Sequence, residues 1–104
     1  MLNKFKLKFG NPLPGYRFKP GECIVDTNSA NDFRQGKCTQ QDLDGVKMLV
    51  VEVGIDNKTG MESYRLLYYS PVQGAEDLPW NQIDQWRIKA GVDLNYELCD
   101  HPEI

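Results

Sequence analysis

The sequence predicts a single, mainly β domain: a small antiparallel barrel of about five to six strands with long loops and one short helical turn. Apolar and polar residues alternate in several short segments, and turn residues such as Gly, Pro, Asn and Asp separate these segments. No segment shows the sustained apolar period of a long amphipathic helix. A barrel is favoured over an open sheet because closure removes exposed strand edges.

The N-terminal half is predicted to hold two strands and a long polar loop. Over residues 1–15, apolar residues alternate with lysines and a segment rich in Pro and Gly follows, which predicts a strand that ends in a turn. A short apolar segment after a Pro-Gly turn predicts a second strand over 22–27. Residues 28–45 are polar, with Phe33 as their only aromatic residue, and they predict a long loop with one helical turn as the alternative.

A hairpin of longer strands is predicted in the middle of the chain. Residues 46–55 are apolar on both faces and rich in β-branched side chains, which is typical of a central strand. The Asp/Asn/Gly segment 56–60 predicts a hairpin turn in which Gly60 adopts a positive φ. The strand over 61–70 then returns antiparallel to the central strand.

Shorter elements are predicted toward the C-terminus. The segment 80–84 predicts the single helical or 3₁₀ turn, and it leads into a strand over 85–89 whose Trp86 faces the core. Alternation over 92–99 predicts a last strand with one solvated face. Residues 100–104 are predicted to fray.

Composition and charge predict one soluble domain in the cytoplasm. The 104 residues are 40% hydrophobic and 26% charged, which suits a single globular core. No apolar run approaches the roughly 18 to 20 residues of a membrane-spanning helix, and the N-terminus lacks the pattern of a secretory signal. Three widely spaced cysteines suit thiols in a reducing compartment. We therefore expect no membrane partner, and the oligomeric state stays open.

No motif predicts catalytic, metal or cofactor chemistry. The only histidine, His101, falls in the predicted tail, where a rigid general base is hard to build. Cys23 and Cys38 are 15 positions apart, unlike the close ligand pairs of structural zinc sites. The sequence also lacks a glycine-rich phosphate-binding loop and a serine nucleophile turn. We expect no catalytic residue, no metal and no cofactor, and therefore not an enzyme.

Three segments carry a resemblance to a known class of small barrels. They are Phe18-Lys19-Pro20-Gly21-Glu22-Cys23-Ile24-Val25, Lys47-Met48-Leu49-Val50-Val51-Glu52-Val53 and Tyr64-Arg65-Leu66-Leu67-Tyr68-Tyr69. Together with the hairpin between the last two, they resemble SH3-like barrels of the KOW and Tudor type over residues 16–90. The resemblance implies an SH3-like barrel that contacts nucleic acid or a protein segment through its loops or its aromatic strand faces.

A remoter likeness is to the MazF-like toxin ribonucleases. The matching segments are Gly21-Glu22, residues 45–50 and Asn57-Lys58-Thr59-Gly60, which correspond to that family's turn, apolar strand and hairpin turn. The family's Arg-Pro pair before the strand is replaced by Val46-Lys47, and its Pro-x-Thr/Ser segment after the hairpin is replaced by residues 69–72. RNA cleavage is therefore the third function that we weigh.

The expected function is a non-enzymatic protein-binding module of the kind found among small bacterial or phage inhibitors and adaptors. A nucleic-acid-binding module is the alternative. The net charge of −3 and the pI of about 5.0 favour a protein partner, because nucleic-acid binding relies on a basic face. Exposed aromatic and cationic side chains anchor either kind of partner. The predicted binding residues are Tyr69, Trp80, Arg87, Phe33 and Arg34.

Overall fold

A computed structural model describes residues 8–68 and 84–99 of the chain. In chain order its elements are β1 (Cys23–Asp26), α1 (Thr27–Arg34), α2 (Gln40–Asp44), β2 (Met48–Ile55), β3 (Glu62–Tyr68), β4 (Asp84–Ile88), α3 (Lys89–Asn95) and β5 (Tyr96–Leu98). The described strands form one antiparallel sheet in the order β4-β3-β2-β1-β5. The prediction of a mainly β fold is therefore confirmed.

The β2–β3 hairpin forms the middle of the sheet, as the sequence predicts. Val50 pairs with Leu66, and the register then shifts by one residue at a bulge before Glu52. The turn closes at Gly60, whose φ is +71° and whose N–H donates to the Asp56 carbonyl at 2.7 Å. A positive φ costs glycine little because it lacks a Cβ, so this position suits the turn.

The sheet curls strongly, although its strand pairing leaves β4 and β5 as edges. In a flat sheet of five strands, four spacings of about 4.8 Å would separate the edges by about 19 Å. The seven residues of α3 join the two edges directly, and such a helix rises only about 10 Å. Arg87 of β4 and Tyr96 of β5 also line one depression together with Met48 of β2. The described strands thus form a curled, open sheet, and closure into the predicted barrel is not shown.

The two faces of the sheet carry separate hydrophobic clusters. The face that α3 covers, which we call the α3 face, holds Phe18, Ile24, Met48, Val50, Val53, Tyr64, Leu66 and Val92. The opposite face, the α1–α2 face, holds Cys23, Val25, Ala30, Leu43 and Cys99. Because both faces bury apolar side chains, the inner strands are apolar on both sides rather than strictly alternating.

Tyr64 connects three parts of the α3 face through the hydrogen bonds of its hydroxyl. Its ring is fully buried, and its hydroxyl donates to the Asp93 carboxylate at 2.5 Å while accepting the Phe18 N–H at 3.1 Å. Burial, reinforced by the Asp93 carboxylate, raises the pKa of Tyr64, so the hydroxyl keeps its proton. Asp93 also forms an ion pair with Lys89 one helical turn earlier, at 2.9 Å. One hydroxyl therefore links β3, α3 and the segment before β1.

The predicted loop over 28–45 is wrong, because the segment contains α1 and α2. The Asp26 side chain caps α1 by accepting the Ser29 N–H at 2.7 Å. Thr39 and Asp42 form a reciprocal capping box at the start of α2. Short polar helices are stabilised by such caps and by burying a few residues, here Ala30 and Leu43, rather than by a long apolar stripe.

The predicted strand over 92–99 is also wrong in its first half. Residues up to Asn95 belong to α3, and only Tyr96–Leu98 form a strand. The described residues thus hold three helices, whereas the sequence predicted one helical turn. Trp86 does not face the core either, since 36% of its surface is exposed on edge strand β4.

Some predictions fall outside the described residues. The predicted first strand lies mainly in residues 1–7, and the tail is 100–104. The helical turn predicted over 80–84 also lies outside the described residues except for Asp84, which is the first residue of β4. Residues 8–15 of the predicted N-terminal region are described, and the Gly10 N–H donates to the Val51 carbonyl at 2.9 Å beside the bulge of β2. Within residues 8–68 and 84–99, no helix combines the length and the apolar character needed to cross a membrane.

Candidate functional site

A small cavity lies between α1, α2 and the β1–β5 edge, and we call it the helix-side cavity. Its volume is about 140 Å³, and its lining includes two of the predicted binding residues, Phe33 and Arg34. Apolar side chains of Val25, Ala30 and Leu43 form much of its wall. The cavity thus joins predicted residues to part of the core.

The charged groups of the helix-side cavity are paired with each other. The Arg34 guanidinium donates to both carboxylate oxygens of Glu97, at 2.9 and 3.2 Å. The ammonium of buried Lys47 lies 3.0 Å from the Asp44 carboxylate. Burial works to lower the pKa of Lys47, but the hydrogen bond to Asp44 outweighs it and raises that pKa. These pairs hold α1 and α2 against the sheet, which is a structural role.

Replacing Arg34 by alanine is expected to destabilise the fold in a pH-dependent way. The hydrogen bond from Arg34 lowers the pKa of Glu97 below its usual value. A carboxyl with a lowered pKa in the folded state adds stability above its unfolded pKa of about 4.3, and this stability is lost as the pH falls through the folded value. We expect Arg34→Ala to cost about 0.5–1 kcal/mol near neutral pH.

Urea unfolding of the wild type and Arg34→Ala, followed from about pH 7 down to about pH 3, measures this effect. The difference between the two should shrink as Glu97 protonates. Lys37→Ala, an exposed cation between α1 and α2, is the control and should show no such trend. A difference that stays constant with pH would mean that packing, not the ion pair, accounts for the loss.

A larger groove crosses the α3 face, and we call it the sheet groove. Its first part, of about 300 Å³, is lined by Asp26, Gly45, Val46, Met48, Tyr68, Gln85, Arg87 and Tyr96. Its second part, of about 420 Å³, lies between β4 and α3 and shares Arg87 and Tyr96 with the first. The two parts adjoin at Arg87 and Tyr96, which line both of them.

Strand register explains which side chains reach the sheet groove. Arg87 pairs with Tyr64, and Gln85 pairs with Leu66, so all four side chains lie on the α3 face. Tyr96 joins them because it begins β5 at the end of α3. The curl of the sheet then brings the two edge strands to one groove.

The sheet groove combines half-buried aromatic rings with an available cation. Tyr68 and Tyr96 pack at the margin of the core, and Val46 at the rim is 39% exposed. Arg87 donates to Gln85 at 3.3 Å, and no described carboxylate forms an ion pair with it. Asp26, the acid in the lining, is engaged by Ser29. The Arg87 guanidinium is thus available to an anionic partner group.

The structure separates the predicted binding residues. Arg87 lies in the sheet groove, whereas Phe33 and Arg34 line the helix-side cavity on the other face. Tyr69 and Trp80 lie outside the described residues, so their predicted role is untested.

The predicted binding residues do not include Val46, Tyr68 and Tyr96 of the sheet groove. All three fall within predicted strands, over 46–55, 61–70 and 92–99. Val46 lies before β2 and is exposed, and Tyr96 begins β5 at the end of α3. The curled sheet places both residues beside Tyr68 in the groove.

The described residues contain no group of three or more His, Cys, Asp or Glu side chains placed to hold a metal ion. Comparison with known proteins adds no further evidence on function. No protein-family model, no curated protein and no solved structure matches the chain.

Proposed function

We propose that this chain is a non-enzymatic protein-binding module whose sheet groove receives a short, extended segment of a partner protein. The observation that carries the proposal is the Arg87 guanidinium, which has no carboxylate partner among the described residues and lies in one groove with Tyr68 and Tyr96. The curled five-stranded sheet, whose edges α3 joins, supports an SH3-like barrel as its fold.

The lining defines the chemistry of the segment. Val46 and Tyr68, with buried Met48 behind them, offer an apolar surface that suits one large apolar side chain. Tyrosine adds an amphipathic ring that contacts a peptide at low entropic cost. Arg87 suits an Asp or Glu, because a guanidinium binds a carboxylate through two parallel hydrogen bonds. We infer a segment in which an apolar residue and an acidic residue lie close together.

A protein partner agrees better with the charges than nucleic acid does. The chain carries a net charge of −3, and the groove lining includes an acid, Asp26. Phosphate backbones bind to clusters of basic side chains that release counterions. The proposal keeps the class of small bacterial or phage inhibitors and adaptors. It also keeps the cytoplasm, because three widely spaced cysteines suit a reducing compartment.

Selection from a random peptide display library tests the proposed site. We expect the wild type to enrich segments that combine a large apolar residue with Asp or Glu. Arg87→Glu should weaken the binding of those segments at least about tenfold, which corresponds to about 1.4 kcal/mol. The variant should instead enrich segments that carry Lys or Arg, since it reverses the charge that the groove presents.

Lys58→Glu is the matched control, because it makes the same charge change at an exposed turn residue that does not line the groove. It should bind the selected peptides as the wild type does. Equal losses in both variants would mean that overall charge, not the groove, determines binding. Binding of single-stranded RNA that weakens steeply with salt would instead favour the nucleic-acid alternative.

A further inference from the structure

Two cysteines face each other across the β1–β5 strand pair. The register pairs Ile24 with Leu98 and Val25 with Glu97, so Cys23 lies opposite Cys99. The Cys99 N–H donates to the Cys23 carbonyl at 3.0 Å, and the two Sγ atoms are 2.7 Å apart. Both side chains are buried on the α1–α2 face. The strand pairing itself thus brings the two thiols into contact.

This geometry suits a disulfide and does not suit a metal site. Directly opposed residues of an antiparallel pair have Cα atoms about 4.5–5.5 Å apart, within the range of about 4.4–6.8 Å that disulfides span. Two thiolates on one tetrahedral zinc, with Zn–S bonds of about 2.3 Å, would lie about 3.8 Å apart. The observed 2.7 Å is much shorter than that separation.

The two thiols differ in access. Cys99 lines the helix-side cavity, whereas Cys23, fully buried, does not. A small reagent that enters the cavity therefore meets Cys99 first. The Lys47 ammonium lines the same cavity and favours a thiolate there through its positive charge. Cys38, the third cysteine, lies apart between α1 and α2.

We propose that Cys23 and Cys99 form a disulfide by exchange with a low-molecular-weight disulfide such as oxidised glutathione. The Cys99 thiolate attacks one sulfur of the small disulfide, forms a mixed disulfide and releases one small thiolate. Cys23 then loses its proton to solvent and attacks the Cys99 sulfur, which releases the second small thiolate. Two protein thiols are oxidised, and one small disulfide is reduced to two thiols.

The disulfide would link edge strand β5 covalently to β1. β5 has three residues and is held to the rest of the sheet by its pairing with β1. A covalent link between these strands closes a long loop of the chain, which restricts the unfolded state and stabilises the folded one.

The hydrogen bond with Cys99 and burial both raise the pKa of Cys23, so the exchange should become faster as the pH rises.

The test uses the reduced 104-residue chain incubated with oxidised glutathione. After the remaining thiols are blocked, peptide mapping without reduction should find Cys23 linked to Cys99 and two of the three thiols lost. The midpoint of thermal unfolding should rise by about 5–15 °C and return when a reductant is added. Cys38→Ala, the matched control, should form the same bond. Cys23→Ser should stop at a mixed disulfide on Cys99.

Three titratable thiols after incubation, or a disulfide that includes Cys38, would overturn the proposal. The reagent could fail to reach the thiols of the folded protein even if the bond is favourable. The chain is therefore also unfolded and then refolded in the presence of oxidised glutathione. A refolded chain that still lacks the bond between Cys23 and Cys99 also contradicts it. If Cys23→Ser fails to fold, the peptide maps of the wild type and Cys38→Ala decide the question.

Discussion

Replacing Tyr64 by alanine is expected to lower the free energy of unfolding by about 3–5 kcal/mol. The substitution removes a fully buried ring that contacts the rings of Tyr16 and Phe18. It also removes the hydroxyl that links Phe18 to Asp93 of α3. A cavity would remain at the centre of the α3 face, because the surrounding strands and helix cannot collapse fully into it.

Tyr64→Phe separates the hydroxyl from the ring. It leaves the Phe18 N–H and the Asp93 carboxylate without this partner, and we expect a loss of about 1–3 kcal/mol. Tyr68→Phe is the matched control, since Tyr68 lies on the same strand and face and its hydroxyl forms no hydrogen bond with a described residue. Chemical denaturation of the three variants measures the series. Equal effects of Tyr64→Phe and Tyr68→Phe would show that the buried network adds no stability.

Replacing Val92 by aspartate is expected to cost more than about 4 kcal/mol and to unfold much of the protein. Val92 is 2% exposed and packs from α3 into the cluster of the α3 face. A carboxylate there would lose its hydration without gaining a cationic partner on the apolar side. The loss should also detach α3 from the sheet, and with it the connection between β4 and β5.

Leu94→Asp is the control on the same helix. Leu94 is 79% exposed, so the same new charge stays hydrated and should change stability by less than about 1 kcal/mol. Circular dichroism and thermal unfolding of both variants give the comparison. If both unfold the protein, helix propensity rather than burial of Val92 governs α3. If neither does, α3 is not needed to hold the curled sheet.

These two sites matter for the proposed function because they hold the sheet groove in shape. Arg87 and Tyr96 belong to opposite edges of the sheet, and α3 is the direct covalent path between them. Val92 and the Tyr64–Asp93 hydrogen bond fix α3 on the α3 face. The proposed binding of a peptide segment therefore depends on core contacts that the peptide itself would not touch.

The sequence by itself determined the elements whose signals are local. The apolar, β-branched run of β2, the turn at Gly60 and the returning strand β3 follow from patterns within about 20 residues, and the structure confirms them. The short strands β1 and β4 were also predicted close to their observed bounds. Local chemistry suffices in these places because the strands pair with neighbours in sequence or follow clear turns.

Other features were decided only by the tertiary structure. The alternation over 92–99 fits a strand, yet α3 forms because burial of Val92 and the hydrogen bond from Tyr64 to Asp93 outweigh that local preference. The helices α1 and α2 are a different case, because their caps, Asp26 and the Thr39/Asp42 box, are local signals that the sequence carries.

The candidate site depends on contacts between distant parts of the chain. Arg87 could be chosen from the sequence as a cation on a strand, but its neighbour Tyr96 belongs to the opposite edge strand. Likewise, Cys23 and Cys99 are brought together by strand pairing across most of the chain. The residue pattern determines which segments become strands and which faces they bury. Which side chains meet depends on the curl of the sheet and on α3, which joins its edges. The sequence pattern does not give that curl, because it results from packing over the whole domain.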